Sequence, residues 1–226
     1  MTETTDPKDT KERILDTAER VFAEQGINAC SIRFITSEAG VNLASVHYHF
    51  GSKEGLVRAV LERRIDPMNR ERIERLNAVE AEAGDGPPSL EKIFEALIRP
   101  YLRVALDPAR GEMVMHLFAR VLAEPDLRAI IAEVYNELVS RFTAVCKRAL
   151  PDLPPEELCW RIHLAFGVWQ AISNPLRLRG VSSILVCDPS AGEEEIIERM
   201  LSFVIAGMNA PLPAKASSEA TQLQHE

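Results

Sequence analysis

Ser31-Ile-Arg-Phe-Ile-Thr-Ser-Glu-Ala-Gly40-Val-Asn-Leu-Ala-Ser-Val-His-Tyr-His-Phe-Gly51-Ser-Lys-Glu-Gly-Leu56 carries the punctuation of two short helices and the start of a third. Ser31 is an N-cap type of residue, and Ile32, Ile35 and Ala39 follow it at helical spacing. Gly40 stops that helix, and Val41 supplies an apolar plug for the turn. A second helix runs from about Asn42 to Phe50. Gly51 ends it and Ser52 caps the next, which turns Leu56, Val57, Val60 and Leu61 inward. Two short helices around a tight glycine-containing turn form a helix-turn-helix, whose second helix lies in the major groove of DNA in proteins that use it.

The composition of that second helix supports the same reading. Val46 and Phe50, spaced i, i+4, can face a core, which leaves Leu43, Ala44, Ser45, His47 and Tyr48 largely outward. Solubility does not call for such a set. Ser45 and Ala44 suit base edges, Ala44 against a thymine methyl, while Tyr48 and His47 suit phosphates. Lys53 falls in the first turn of the following helix, where exposed N–H groups also attract phosphate. His47 and His49 make a poor metal pair, because i and i+2 do not share a helix face.

Upstream, residues 1–8 read as a disordered lead. A helix starts near Asp9 or Thr10, with Asp9 and Glu12 at capping-box spacing, and stops at Gly26. Its inward face is Ile14, Leu15, Ala18, Val21 and Phe22. Downstream of the helix after Ser52, the next helix continues to about Ala83, and Gly84-Asp-Gly-Pro-Pro88 is a loop. Further helices are expected at about 89–106, 111–123, 126–149, 155–177 and 193–208, with an ordered loop over Val181–Cys187 and a disordered tail at 211–226. Glu193, Glu194 and Glu195 complement the dipole of the last helix. The fold class is all-α.

Bulk properties narrow the function. Hydrophobic residues make up 46% of the 226, enough for a sizeable core, and the net charge is -8. An acidic chain does not coat nucleic acid indiscriminately, yet bases outnumber acids by one between Ser31 and Arg58, so a local contact fits. The four cysteines, Cys30, Cys146, Cys159 and Cys187, include no C-x-x-C pair, so the expectation is reduced structural thiols with no metal and no cofactor. No signal peptide or membrane span is recognisable, which implies a cytoplasmic protein. G-x-S-x-G, H-E-x-x-H and a phosphate-cradling glycine loop are all missing, which argues against an enzyme.

Over residues 10–64 the chain resembles the tetracycline-repressor (TetR) family DNA-binding domain, with its Ala-Gly-Val turn, aromatic and histidine-rich helix, and Ser-Lys-Glu cap. Thr36 stands where the family has alanine, and Phe34 where a polar residue is common. The resemblance implies a helix-turn-helix domain at 9–66, with the motif at about 31–50, and a helical ligand-binding and dimerisation domain at 67–210. It puts Arg33, Asn42, Leu43, Ala44, Ser45, His47, Tyr48, His49 and Lys53 at DNA-contacting positions.

Leu97, Tyr101, Met115, Phe118, Leu122, Trp160, His163, Phe166 and Trp169 lie at helical spacing, and each alone reads as core. As a group they suit a roomy apolar pocket with His163 and His116 as polar anchors, and the resemblance implies a ligand cavity there. The last two long helices are apolar on more than one face and need cover on two sides. The family arrangement assigns Leu164, Ile172, Ile196, Met200, Phe203 and Val204 to a dimer interface. The resulting expectation is a homodimeric repressor on a palindromic double-stranded DNA operator, released by a small, largely apolar effector. The rival readings are a helical protein-interaction module and an all-α enzyme, both without DNA binding.

Overall fold

A computed structural model describes residues 7–173 and 192–212. The expected loop at Val181–Cys187 and the tail from residue 213 onward lie outside the described residues. Among those described there are nine α-helices and no strands: α1 (Pro7–Gln25), α2 (Ile32–Ala39), α3 (Leu43–Phe50), α4 (Lys53–Ala83), α5 (Leu90–Ala105), α6 (Gly111–Ala123), α7 (Arg128–Ala149), α8 (Pro155–Ser173) and α9 (Glu193–Met208). A 3₁₀ turn at Pro125–Leu127 precedes α7. The helices expected from apolar periodicity are present within a few residues of their expected ends. The stretch after Ser52 is one 31-residue helix that passes through Pro67.

The chain divides into two compact units. One holds the described residues up to Arg75 together with Pro100–Arg141, and the other holds Leu76–Arg99 and the described residues from Phe142 on. The divisions fall inside α4, α5 and α7, and the expected boundary at residues 66 and 67 falls in the middle of α4.

In the first unit, α1 lies against α2, α3 and α6. Ile14, Leu15, Ala18, Val21 and Phe22 form one buried stripe, joined by Ile35, Val46, Leu56, Val57, Val60 and Leu61. Val114, Leu117, Phe118 and Val121 of α6 belong to the same core. Between α1 and α4 sits Glu19, whose side chain is 1% exposed. It accepts hydrogen bonds from the Arg63 guanidinium and, at 2.8 Å, from Arg64 Nε. Deeper in this unit, Arg72 is wholly buried, donating to Asn69 Oδ1 at 3.2 Å and lying 6.0 Å from the Tyr101 ring centre. Burial pushes its guanidinium down to about 10, against the favourable pull of Tyr135 and Tyr101.

In the second unit, α8 packs on α9. Its core is aromatic: Phe94 meets Phe142 edge-on at 5.3 Å, Phe142 meets Phe166 at 5.9 Å, and Phe166 stacks on Trp169 at 5.6 Å. Arg99 ties α5 to the start of α9, donating to Glu194 Oε1 at 2.5 Å and to Glu95 at 2.7 Å. The acidic start of α9 therefore serves Arg99 as well as the helix dipole.

Candidate nucleic-acid interface

Local chemistry builds the motif from both ends. The Ser31 hydroxyl accepts from Phe34 N–H at 3.1 Å and starts α2. Gly40 takes the left-handed conformation (φ 62°, ψ 38°), and its N–H donates back to Ser37 and Thr36 carbonyls. Asn42 then starts α3, its Oδ1 accepting from Ala44 N–H at 3.0 Å. Gly51, at φ 74°, ends α3. The Ser52 hydroxyl accepts from Gly55 N–H at 3.1 Å and opens α4.

Tertiary contacts hold this unit. Val46 is fully buried and fastens α3 to the core, and Val41 and Phe50 pack against the same cluster. Arg13 of α1 donates to Ala39 O at 2.7 Å and Gly40 O at 3.2 Å, covering carbonyls at the end of α2. The sequence pattern does not single Arg13 out, because in α1 it reads as one more solvated charge. Thr36 is buried, and its hydroxyl donates to Arg33 O at 3.0 Å, so its polar group is satisfied within α2. Phe34 remains 40% exposed.

What is left on the surface is the predicted face. Arg33, Asn42, Ala44, His47 and Tyr48 are exposed, and Leu43, Ser45, His49 and Lys53 are half-buried. Tyr48 is 82% exposed and touches His49 edge-on, with ring centres 4.9 Å apart. His47 Nδ1 lies 3.0 Å from Gly51 O, a carbonyl that only accepts. Nδ1 therefore carries the proton, and in the neutral ring the outward Nε2 is an acceptor.

One glycine in this region is required by space. A Cβ on Gly55 would lie 2.0 Å from the Phe50 carbonyl oxygen. Gly55→Ala should force the end of α3 off the start of α4, lowering unfolding free energy by about 1–3 kcal/mol in urea titration. An unchanged midpoint would show that the junction is slack.

The structure redistributes the expected ligand pocket. Leu97, Phe166 and Trp169, with Phe94, Ile98, Ala165 and Val204, line a cavity of about 10 Å³ in the second unit, room for one water. Met115 and Phe118 lie instead in the core that α6 shares with α1, and Tyr101 packs on that core. Leu122 is 56% exposed, Trp160 is 62% exposed, and His163 is on the surface. His116 is half-buried, and its Nε2 is enclosed without a hydrogen-bond partner. Helical spacing cannot separate these sets, because several apolar faces share the same periodicity.

The expected dimer set divides too. Leu164 and Phe203 are exposed, at 66% and 67%, and Ile196 is half-buried. Met200 and Val204 are buried within their own chain, on the face of α9 that also turns Ile197 and Met208 inward. The side chain of Ile172 lies outside the described residues. Among the described residues no helix is long and apolar enough to cross a membrane.

Comparison with known proteins agrees with this geometry. Residues 14–60 match the profile of the bacterial regulatory proteins of the tetR family, and residues 95–207 match that of the tetracyclin repressor-like C-terminal domain. The chain is 38% identical over 61 residues to the helix-turn-helix transcriptional regulator TtgW of Pseudomonas putida, 27% of this chain and 46% of that one. It is 38% identical over 55 residues to the transcriptional repressor KstR2 of Rhodococcus jostii, 24% of this chain and 27% of that one. These alignments thus span less than half of either relative. Among solved structures, SmeT, the repressor of the Stenotrophomonas maltophilia multidrug efflux pump SmeDEF, superposes with a TM-score of 0.60 at 19% identity, covering 92% of this chain and all of that one. A transcriptional regulator from Saccharomonospora viridis in complex with choline reaches 0.51 at 21% identity, covering 88% and 94%.

Proposed function

Because the chain belongs to the tetracycline-repressor family, we propose that it is a transcriptional repressor that reads a palindromic operator as a homodimer and lets go of it when a small, largely apolar effector binds. One observation carries this reading: α3 buries Val46 and presents Ala44, His47 and the 82%-exposed Tyr48 to solvent. Two such helices related by a two-fold axis read half-sites about one helical turn apart.

The details follow from the geometry. Ser45 and Ala44 meet base edges, and Tyr48, Arg33 and Lys53 meet phosphates. Asn42 uses its Oδ1 to cap α3, so it reaches DNA with its Nδ2 donors. His47, whose Nδ1 is taken up by Gly51 O, reaches DNA with its Nε2.

Dimerisation is supported by Trp160, Leu164 and Phe203, three large apolar side chains more than 60% exposed on α8 and α9. The effector site is supported by the aromatic core of Phe94, Phe142, Phe166 and Trp169, whose 10 Å³ cavity must open to take a ligand. In the first unit, Arg120 of α6 donates to the Glu24 carbonyl of α1 at 3.3 Å, and Asn28, just past α1, donates to Glu124, just past α6, at 2.5 Å. A shift of α6 therefore moves the DNA-reading helices. Coupling of this kind needs only about 1–3 kcal/mol. The repressor named among the sequence relatives supports the sign of the regulation.

The test is gel retardation of the full chain against selected random duplexes and its own upstream region. A salt-sensitive retarded band on a palindromic sequence is expected. Folded, dimeric protein that retards nothing at low salt would overturn the reading.

A further inference from the structure

We propose that DNA binding takes up a proton at His47, so that operator affinity rises as pH falls through the range in which histidine titrates. The inference rests on the reading of α3 as the DNA-contacting helix. His47 is exposed, and its Nδ1 lies 3.0 Å from Gly51 O, while Gly51 N–H donates to His47 O at 3.1 Å. The two residues thus bond each other in both directions across the end of α3. The imidazole is part of the turn into α4, and Nε2 is the ring nitrogen left for DNA.

The number of ring hydrogens decides the charge. A neutral imidazole has one N–H, and in His47 it is committed to a carbonyl that only accepts. Phosphate oxygens, like O6 and N7 of guanine, also only accept. A ring that keeps Gly51 and donates through Nε2 to such an atom needs a second hydrogen, and with it a positive charge. The proton comes from solvent and no bond within the protein breaks. The cation gains a charge-assisted hydrogen bond, and its place in the last turn of α3 suits the helix dipole.

The counter-charge is left to DNA. The titratable and charged groups around α3 are Tyr48 and His49 on α3 itself, Arg33 and Glu38 on α2, Lys53 and Glu54 at the start of α4, and Arg13 of α1, which lies on the Ala39 and Gly40 carbonyls. Both acids are engaged elsewhere. Glu38 pairs with Arg20 at 3.1 Å, and Glu54 bonds the Ser52 hydroxyl and its own N–H. His49 is half-buried, with ring contacts to Tyr48 at 4.9 Å and Phe50 at 6.0 Å, and serves as the control. The complex therefore holds more protons than its free components, and affinity falls as pH rises. Two copies of His47 set a limiting slope of about −2 for log affinity against pH.

Fluorescence anisotropy of the full chain on the selected palindromic duplex tests this, from about pH 6 to about pH 8 at constant ionic strength. Circular dichroism over the same range checks that the fold holds. Affinity at the acid end should exceed that at the alkaline end by at least about 10-fold. Calorimetry in two buffers of different ionisation enthalpy should show net proton uptake on binding. His47→Gln should flatten the slope, and His49→Gln should keep it, whatever the affinity of either at one pH. A flat profile in the native chain, or a slope that survives in His47→Gln, would overturn the proton link and leave operator binding standing. No binding at any pH by folded protein would overturn both.

Discussion

Replacing Tyr48 and Lys53 together by alanine is expected to weaken operator binding by at least about 100-fold while leaving the urea unfolding midpoint unchanged. A hydrogen bond to a charged group such as a phosphate is worth about 1.5–3 kcal/mol, and a dimer makes each one twice. Even the low end for both residues exceeds the roughly 2.8 kcal/mol that corresponds to 100-fold. Stability should not follow, because Tyr48 is 82% exposed and its ring meets that of His49 edge-on at the surface. Surface substitutions of that kind change stability by about 0.5 kcal/mol or less. Lys53 adds a second readout. If each copy neutralises one phosphate, the slope of log affinity against log salt should become shallower by roughly two in the dimer. Full affinity in the folded double variant would mean that α3 is not the reading element.

The largest effect on stability is expected from Glu19→Ala. The Glu19 carboxylate is enclosed, and both Arg63 and Arg64 bind it. Removing one member of a buried ion cluster costs about 3–5 kcal/mol, because the remaining charges lose their partner. Here the low end applies. Arg63 and Arg64 are 20% and 22% exposed, and Arg63 keeps Asp16 at 2.8 Å, so water and a second acid offset part of the loss. The exposed Arg20–Glu24 pair is the control, and Glu24→Ala should shift unfolding by less than about 0.5 kcal/mol. Equal effects of the two substitutions would show that Glu19 contributes no more than a surface charge. The clamp also bears on DNA reading, since α1 carries Arg13, which holds the end of α2.

Much of the reading head was legible because its signals are local. Ser31, Gly40, Asn42, Gly51 and Ser52 act on backbone groups within four residues, and each does in the fold what its residue type suggests. Val46 was recognisable as an inward residue of α3 because it stands i, i+4 from Phe50, and both meet the core. The face that reads DNA follows from that one choice, because a helix rotates its side chains by a set angle.

The interior of the C-terminal part was less legible. Met115 and Phe118 carry the pattern of a pocket wall, yet they join the core beside α1. Trp160 and Trp169 lie nine residues apart on one helix, and one is exposed while the other lines a cavity. On an α8 or α9 that is apolar nearly all round, periodicity names no inward side. Arg72 and Glu19 look like ordinary surface charges until partners distant in sequence enclose them.

The amino-acid order by itself determined where helices start and stop, and which side chains of α3 point outward, because caps, glycine turns and i to i+4 spacing are short-range physics. Packing between distant helices decided the rest: that α6 shares a core with α1, that Met200 and Val204 face inward while Leu164 and Phe203 face out, and that no Cβ fits at Gly55. Burial is a property of what lies across from a residue, and that neighbour comes from elsewhere in the chain.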